Sequence, residues 1–149
     1  MIVVDASVAV KWLVSEQDQE AAQALLFSGE KLIGPSLARI EVTAAIARKA
    51  RFAEIALQEA LRAIELWRKT LIGALDLLPE GQDLHGALNM SLELRHPLPD
   101  CIYLALAERF NATLITADSK FVAKAHGRYP RVQLLGRAKE KGDSGEPPD

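Results

Sequence analysis

The chain has 149 residues, enough for one domain with a sizeable core, and its 49% apolar and 26% charged residues are ordinary for a globular protein. No apolar run approaches the ~20 residues of a membrane span, and Asp5 and Lys11 interrupt the hydrophobic N-terminus, with no basic segment before it, which speaks against a signal peptide. A net charge of −2 does not announce a nucleic-acid binder, and the lone Cys101 excludes an intramolecular disulfide framework and fits a reducing compartment, so the expected location is the cytoplasm.

In chain order, Ile2–Asp5 reads as a short buried strand, followed by a short helix from Val8 to Leu13 and a second from about Asp18 to Phe27 that Ser28-Gly29 ends. Lys31–Gly34 is a second strand, and Pro35 with Ser36 opens a helix from Leu37 to about Lys49. Its apolar stripe is read as Leu37, Ile40, Ala44, Ala45 and Ala47. A long amphipathic helix over Ala53–Leu71 aligns Leu57, Leu61, Ile64, Trp67 and Leu71. Gly73–Leu78 is a third strand closed by Pro79, and a helix covers Leu84–Leu94. Pro99 starts a helix through Phe110 that Asn111 ends. Thr113–Thr116 is a fourth strand, Ser119–His126 a short helix and Val132–Leu135 a last strand. Strands alternating with helices imply an α/β fold, a parallel sheet covered by helices on both faces. One domain is expected over 1–137. Residues 138–149 are rich in Lys, Glu, Gly, Asp, Ser and Pro and read as a disordered tail.

Four carboxylates stand out against this frame. Asp5 and Asp118 end the apolar runs Ile2-Val3-Val4 and Leu114-Ile115-Thr116-Ala117, so both are delivered to the C-terminal rim of the sheet, where open α/β sheets bind ligands. Glu41 lies four residues from both Leu37 and Ala45 and shares their side of its helix, and Asp100 sits in the first turn of the helix after Pro99. Singly, each has a plain explanation: Asp5 and Asp118 as helix caps, Asp100 as a first-turn anion, Glu41 as a boundary residue. Together they face one rim. An ionised pair at ~5 Å and an effective dielectric of ~20 costs about 3 kcal/mol, so such a cluster calls for a hard cation such as Mg²⁺ or Mn²⁺. Phosphodiester hydrolysis is the chemistry that uses this arrangement.

Around the acids, Ser7 and Thr116 are candidate hydroxyls for holding the carboxylates, and Ser119 can either contact bound water or cap its helix. His85, His96 and His126 show no cooperative spacing and read as ordinary surface or capping histidines, while Trp12 and Trp67 read as core or subunit-contact aromatics. Seven basic residues (Lys120, Lys124, Arg128, Arg131, Arg137, Lys139 and Lys141) crowd the stretch from Ser119 to Lys141, opposed only by Glu140. This is either a solvated surface and tail or a phosphate-contacting rim. A phosphoryl-accepting receiver domain also ends strands in Asp, but it wants a second acid beside the first, and Ala6-Ser7 follows Asp5 here.

The four segments resemble the PIN-domain family in family order. Ile2 to Leu13 is similar to its opening strand-Asp-x-Ser motif, Pro35-Ser36-Leu37 through Glu41-Val42 to its helical Glu motif, Leu98-Pro99-Asp100-Cys101-Ile102-Tyr103-Leu104-Ala105-Leu106-Ala107 to its third motif, and Leu114 to Phe121 to its fourth. The likeness spans about Ile2 to Gly136 and looks most like the VapC-type toxins. Cys101 departs from it, standing where the family more often has Ala. The resemblance implies a three-layer α/β/α domain with a five-stranded parallel sheet in the order 3-2-1-4-5 and a Mg²⁺- or Mn²⁺-dependent endoribonuclease acting on RNA. It also implies a homodimer and a VapB-type antitoxin whose tail reaches the active site, with no membrane partner. Asp5, Glu41, Asp100 and Asp118 become the catalytic metal-binding acids, supported by hydrogen bonds from Ser7 and Thr116. The alternative is a non-catalytic PIN-like module that binds RNA or protein.

Overall fold

The computed structural model describes residues 1–69 and 71–136. The predicted tail and Arg137, Lys139 and Lys141 of the basic run therefore lie outside the described residues. Five strands form one parallel sheet: β1 (Ile2–Val4), β2 (Leu32–Pro35), β3 (Asp76–Leu78), β4 (Thr113–Thr116) and β5 (Val132–Leu134). Their order is β3-β2-β1-β4-β5, as the resemblance implies. The helices are α1 (Ala6–Ala9), α2 (Gln19–Leu26), α3 (Ala38–Arg51), α4 (Leu57–Lys69), α5 (Leu84–Leu94), α6 (Leu98–Arg109) and α7 (Ser119–Ala125). Among the described residues, no helix is long and apolar enough to cross a membrane.

The sheet forms because its middle strands are apolar on both faces, the pattern of a parallel strand covered on each side. Val3 and Val4 of β1 are fully buried, β2 is buried throughout, and Leu114, Ile115 and Thr116 of β4 are buried. β1 pairs with β2 on one side and β4 on the other, with Val3 opposite both Ile33 and Leu114. The chain therefore reverses its direction of travel across the sheet at β1. That reversal opens a crevice at the C-terminal ends of β1 and β4. Helix α6 is buried over seven consecutive residues, Cys101–Ala107, and packs on β1, β2, β4 and α5. A helix apolar all round is a core helix, and this one carries Asp100 in its first turn.

Two stripes differ from the sequence reading. In α3 the buried residues are Ala38, Val42 and Ile46, whereas Ile40 is 68% exposed and Ala44 and Ala47 face solvent. In α4 they are Ala60, Ala63 and Trp67, with Leu57 and Leu61 exposed. Both helices carry apolar residues on more than one side, so periodicity alone admits two faces. Packing of α3 on α1 and of α3 and α4 on each other selects one of them. Helix α4 also begins at Leu57 rather than Ala53, because Ala53 adopts a left-handed φ of 55° after α3 ends. The third strand starts only at Asp76, a 3-10 turn over Leu71–Ala74 taking the residues before it. Trp12 and Trp67 are core residues, and the Trp12 indole N–H donates to the Ala22 carbonyl at 2.8 Å.

Ile46→Ala should cost about 2–4 kcal/mol in urea unfolding and Ile40→Ala less than about 1 kcal/mol. The reverse ranking would restore the stripe read from the sequence.

Candidate active site

Asp5 follows β1 and caps α1, and its carboxylate is held through one oxygen. Oδ2 accepts the Ser7 hydroxyl, the Thr116 hydroxyl at 3.1 Å and the Ser7 amide at 3.3 Å. The two hydroxyls are themselves oriented, Ser7 Oγ accepting from the Ala117 amide at 3.0 Å and Thr116 Oγ1 from the Asp118 amide at 3.1 Å. The Asp5 amide in turn donates to the Ile115 carbonyl at 3.0 Å. This cross-linking stitches the ends of β1 and β4 together and brings Asp5 and Asp118 to one place. Asp5 is only 7% exposed. Burial pushes its carboxyl up to about 6, the Ser7 hydrogen bond opposes that rise, and the charge of Asp100 adds to it.

Asp118 caps α7, its Oδ1 accepting the Phe121 amide at 3.1 Å. Asp100 Oδ2 meets His96 Nε2 at 2.5 Å. His96, Asp100 and Asp118 each offer a ligand atom, and these atoms all lie within 4.8 Å of one another. Glu41, in the first turn of α3, lies near enough to feel the charges of Asp5 and Asp100. Burial raises its carboxyl above the usual range, the nearby Tyr103 hydroxyl counters that, and the charges of Asp5 and Asp100 raise it further. The four predicted acids thus come together with Asp100 common to two groups, one with Asp5 and Glu41 and one with Asp118.

Each aspartate keeps one oxygen for the protein and one free of it. Among the described residues, Asp5 Oδ1, Asp100 Oδ1 and Asp118 Oδ2 accept no protein hydrogen bond. The Tyr103 hydroxyl, buried beside Glu41, makes no hydrogen bond of ordinary geometry either. Free carboxylate oxygens gathered in one place beside an unpartnered hydroxyl fit a hard, oxygen-seeking divalent cation. Cys101 is buried and its thiol is pushed up to about 11, by burial first and Asp100 second, so it is no nucleophile here.

Several side chains depart from the sequence reading. His96 is not an ordinary histidine: its side chain is 8% exposed and points at Asp100. A histidine four residues before an acid that opens a helix was the available signal. Tyr103 follows Asp100 by three residues on the same helix, which also places it near the acids. His85 is exposed and His126 Nδ1 sits 3.2 Å from the Val132 carbonyl, as capping and surface residues do. The basic run is partly neutralised in space. Arg128 pairs with Glu93, Arg131 donates to Asn111 at 3.1 Å, and Lys124 is engaged by the Arg95 carbonyl and His96. Lys120, on α7 just beyond Asp118, stays exposed with no ion pair among the described residues.

A family model described as the PIN domain matches residues 2–127. A VapC ribonuclease of Mycobacterium bovis and ribonuclease VapC9 of Mycobacterium tuberculosis are each 30% identical to this chain over 132 residues, covering 87% of it and 95% of their own length. Of solved structures, a toxin-antitoxin complex from Klebsiella pneumoniae superposes with a TM-score of 0.62 at 19% identity, over 85% of this chain and 94% of that one. The Pyrobaculum aerophilum protein PAE2754 gives 0.66 at 22% identity, over 90% of each chain. Fold, motif order and near full-length relatives agree: the chain belongs to the PIN-domain family, alongside relatives named as VapC ribonucleases.

Proposed function

We propose that this chain is the toxin of a type II toxin–antitoxin pair, an endoribonuclease that hydrolyses RNA phosphodiester bonds with Mg²⁺ or Mn²⁺. The observation that carries the reading is the convergence of four acids at the β1–β4 junction with carboxylate oxygens left free on three of them. Asp5, Glu41, Asp100 and Asp118 would hold the cation. When bound, it neutralises charge on the scissile phosphate and makes a water molecule a stronger nucleophile.

The protein's own contribution is positioning. Ser7 and Thr116 fix the Asp5 carboxylate so that it cannot rotate away from its neighbours. The α7 amide at Phe121 does the same for Asp118. Exposed Lys120 offers a phosphate contact beside the acids. The names of the mycobacterial relatives support RNA as substrate, and the Klebsiella toxin-antitoxin complex supports an antitoxin partner, which the family resemblance makes VapB-type. Exposed Leu84, Leu88 and Leu92, at helical spacing along α5, favour a homodimer. The cytoplasm, where RNA is plentiful and Cys101 stays reduced, is the site of action. A non-catalytic PIN-like module is the weaker reading, because a binding surface has no use for mutually repelling acids gathered at one rim.

RNA cleavage should require Mg²⁺ or Mn²⁺ and stop in EDTA, and Asp5→Asn or Asp100→Asn should slow it by about 100-fold or more, equivalent to about 2.7 kcal/mol of transition-state stabilisation. Cleavage that persists in EDTA, or at full rate in either variant, contradicts the assignment.

Metal-free protein offers a second check. The Asp5 carboxyl sits near 6 in the fold against an ordinary value near 3.8, so the native state holds the extra proton between those values. Stability should therefore fall as pH rises from about 4 to about 6, by up to about 3 kcal/mol, and Asp5→Asn should flatten that fall and be the more stable protein at neutral pH. Urea unfolding across pH tests this, and a variant less stable than wild type at neutral pH without metal refutes it.

A further inference from the structure

Asp100 is the acid shared by both groups in the cluster, yet nothing on its own helix fixes its side chain. His96 does, and the surroundings of His96 are unusually complete. Its backbone is pinned at both ends by Ser91, whose carbonyl accepts the His96 amide at 3.1 Å and whose hydroxyl donates to the His96 carbonyl at 2.6 Å. Arg95, just before it, takes the left-handed φ of 51° that turns the chain off the end of α5. The imidazole stacks on Phe121 of α7 with ring centroids 4.5 Å apart. Lys124 Nζ lies 3.3 Å from Nδ1 and 3.1 Å from the Arg95 carbonyl. An ammonium only donates, so Nδ1 accepts, the ring proton sits on Nε2, and Nε2–H donates to Asp100 Oδ2.

We propose that His96 is a positioning residue that holds Asp100 by one carboxylate oxygen, so that the other is presented to the divalent cation, and that Lys124 and Phe121 fix the tautomer and plane that make this possible. This rests on the reading of Asp100 as a metal-holding acid. His96 on Asp100 is the third instance of a pattern the site already shows: Asp5 is held through Oδ2 by Ser7 and Thr116, and Asp118 through Oδ1 by the Phe121 amide. With its Nε2 engaged by Asp100, His96 is not itself a ligand, although it lies close enough to the acids to be one.

The experiment is Mn²⁺ binding to the full chain, followed by electron paramagnetic resonance, for wild type, His96→Leu, His96→Gln and Asp100→Asn, with thermal unfolding of each. Gln retains an amide N–H donor and Leu has none. His96→Leu should weaken Mn²⁺ binding by about 10–100-fold, the usual cost of losing a partner that orients a ligand, and His96→Gln should stay within about threefold of wild type. Spin-echo modulation of Mn²⁺ on wild type should show no directly bound nitrogen. Undiminished binding by His96→Leu overturns the proposal, as does a His96→Gln variant that binds as weakly as His96→Leu. A nitrogen coordinated to Mn²⁺ in wild type also overturns it by making His96 a ligand, and that measurement needs no variant to fold. Asp100→Asn separates the two levels. Binding unchanged in that variant removes the assignment of Asp100 and this proposal with it, whereas weakened binding there but not in His96→Leu removes only the role of His96.

Discussion

Mutual repulsion among carboxylates is the constraint around which this molecule is arranged. Ionised acids a few ångströms apart in a partly buried setting oppose folding by several kcal/mol, and the chain tolerates them by two means. Asp5 retains a proton more readily than a free aspartate. Each aspartate is also tied to the fold by one oxygen, through hydroxyls at Asp5, a helix amide at Asp118 and an imidazole at Asp100. What is left over, among the described residues, is one carboxylate oxygen on each aspartate that accepts no protein hydrogen bond. An apolar core of the same volume would carry none of this repulsion, and under the proposed function the arrangement is a place prepared for positive charge.

The fold supplies that place through topology. Because β1 is flanked by β2 on one side and β4 on the other, the two chain directions part at its C-terminal end, and the loops there cannot cover the crevice between them. Asp5 and Asp118 fall at the ends of the two strands beside the crevice, while α3 and α6 start on the same rim and bring Glu41 and Asp100 in from their first turns. Rigidity comes from below. The fully buried Val3, Val4 and Leu104, with the apolar sides of α6, leave little room for the acids to drift apart. At the far side of α5 and α6, buried Asp83 grips Arg109 through two hydrogen bonds of 2.8 and 3.0 Å, which locks the pair of helices that carries Asp100.

Much of this was legible in the residues. Apolar runs ending in Asp5 and Asp118 located two strands and their functional rim, and the four acids that the motifs singled out do converge. What stayed hidden has physical causes. Ile40 and Leu61 look like core residues on a helical wheel, but α3 and α4 carry apolar side chains on several sides, and only tertiary packing decides that Val42, Ile46, Ala60 and Ala63 go inside. The spacing of His96 four residues before Asp100 hints at a contact, but its role depends on a loop geometry set by Arg95, Ser91 and a ring from α7, which spacing does not show. Within the basic run, Arg128 is paired with Glu93, a partner distant in sequence that the run itself does not reveal.

The most direct measurement is anomalous diffraction from crystals of the full chain grown with Mn²⁺. The account predicts a manganese peak bounded by carboxylate oxygens of Asp5, Glu41, Asp100 and Asp118, with Asp5 Oδ2 still held by Ser7 and Thr116. A well-ordered crystal in which the ion sits elsewhere on the protein, or in which those side chains coordinate nothing at saturating Mn²⁺, would contradict it.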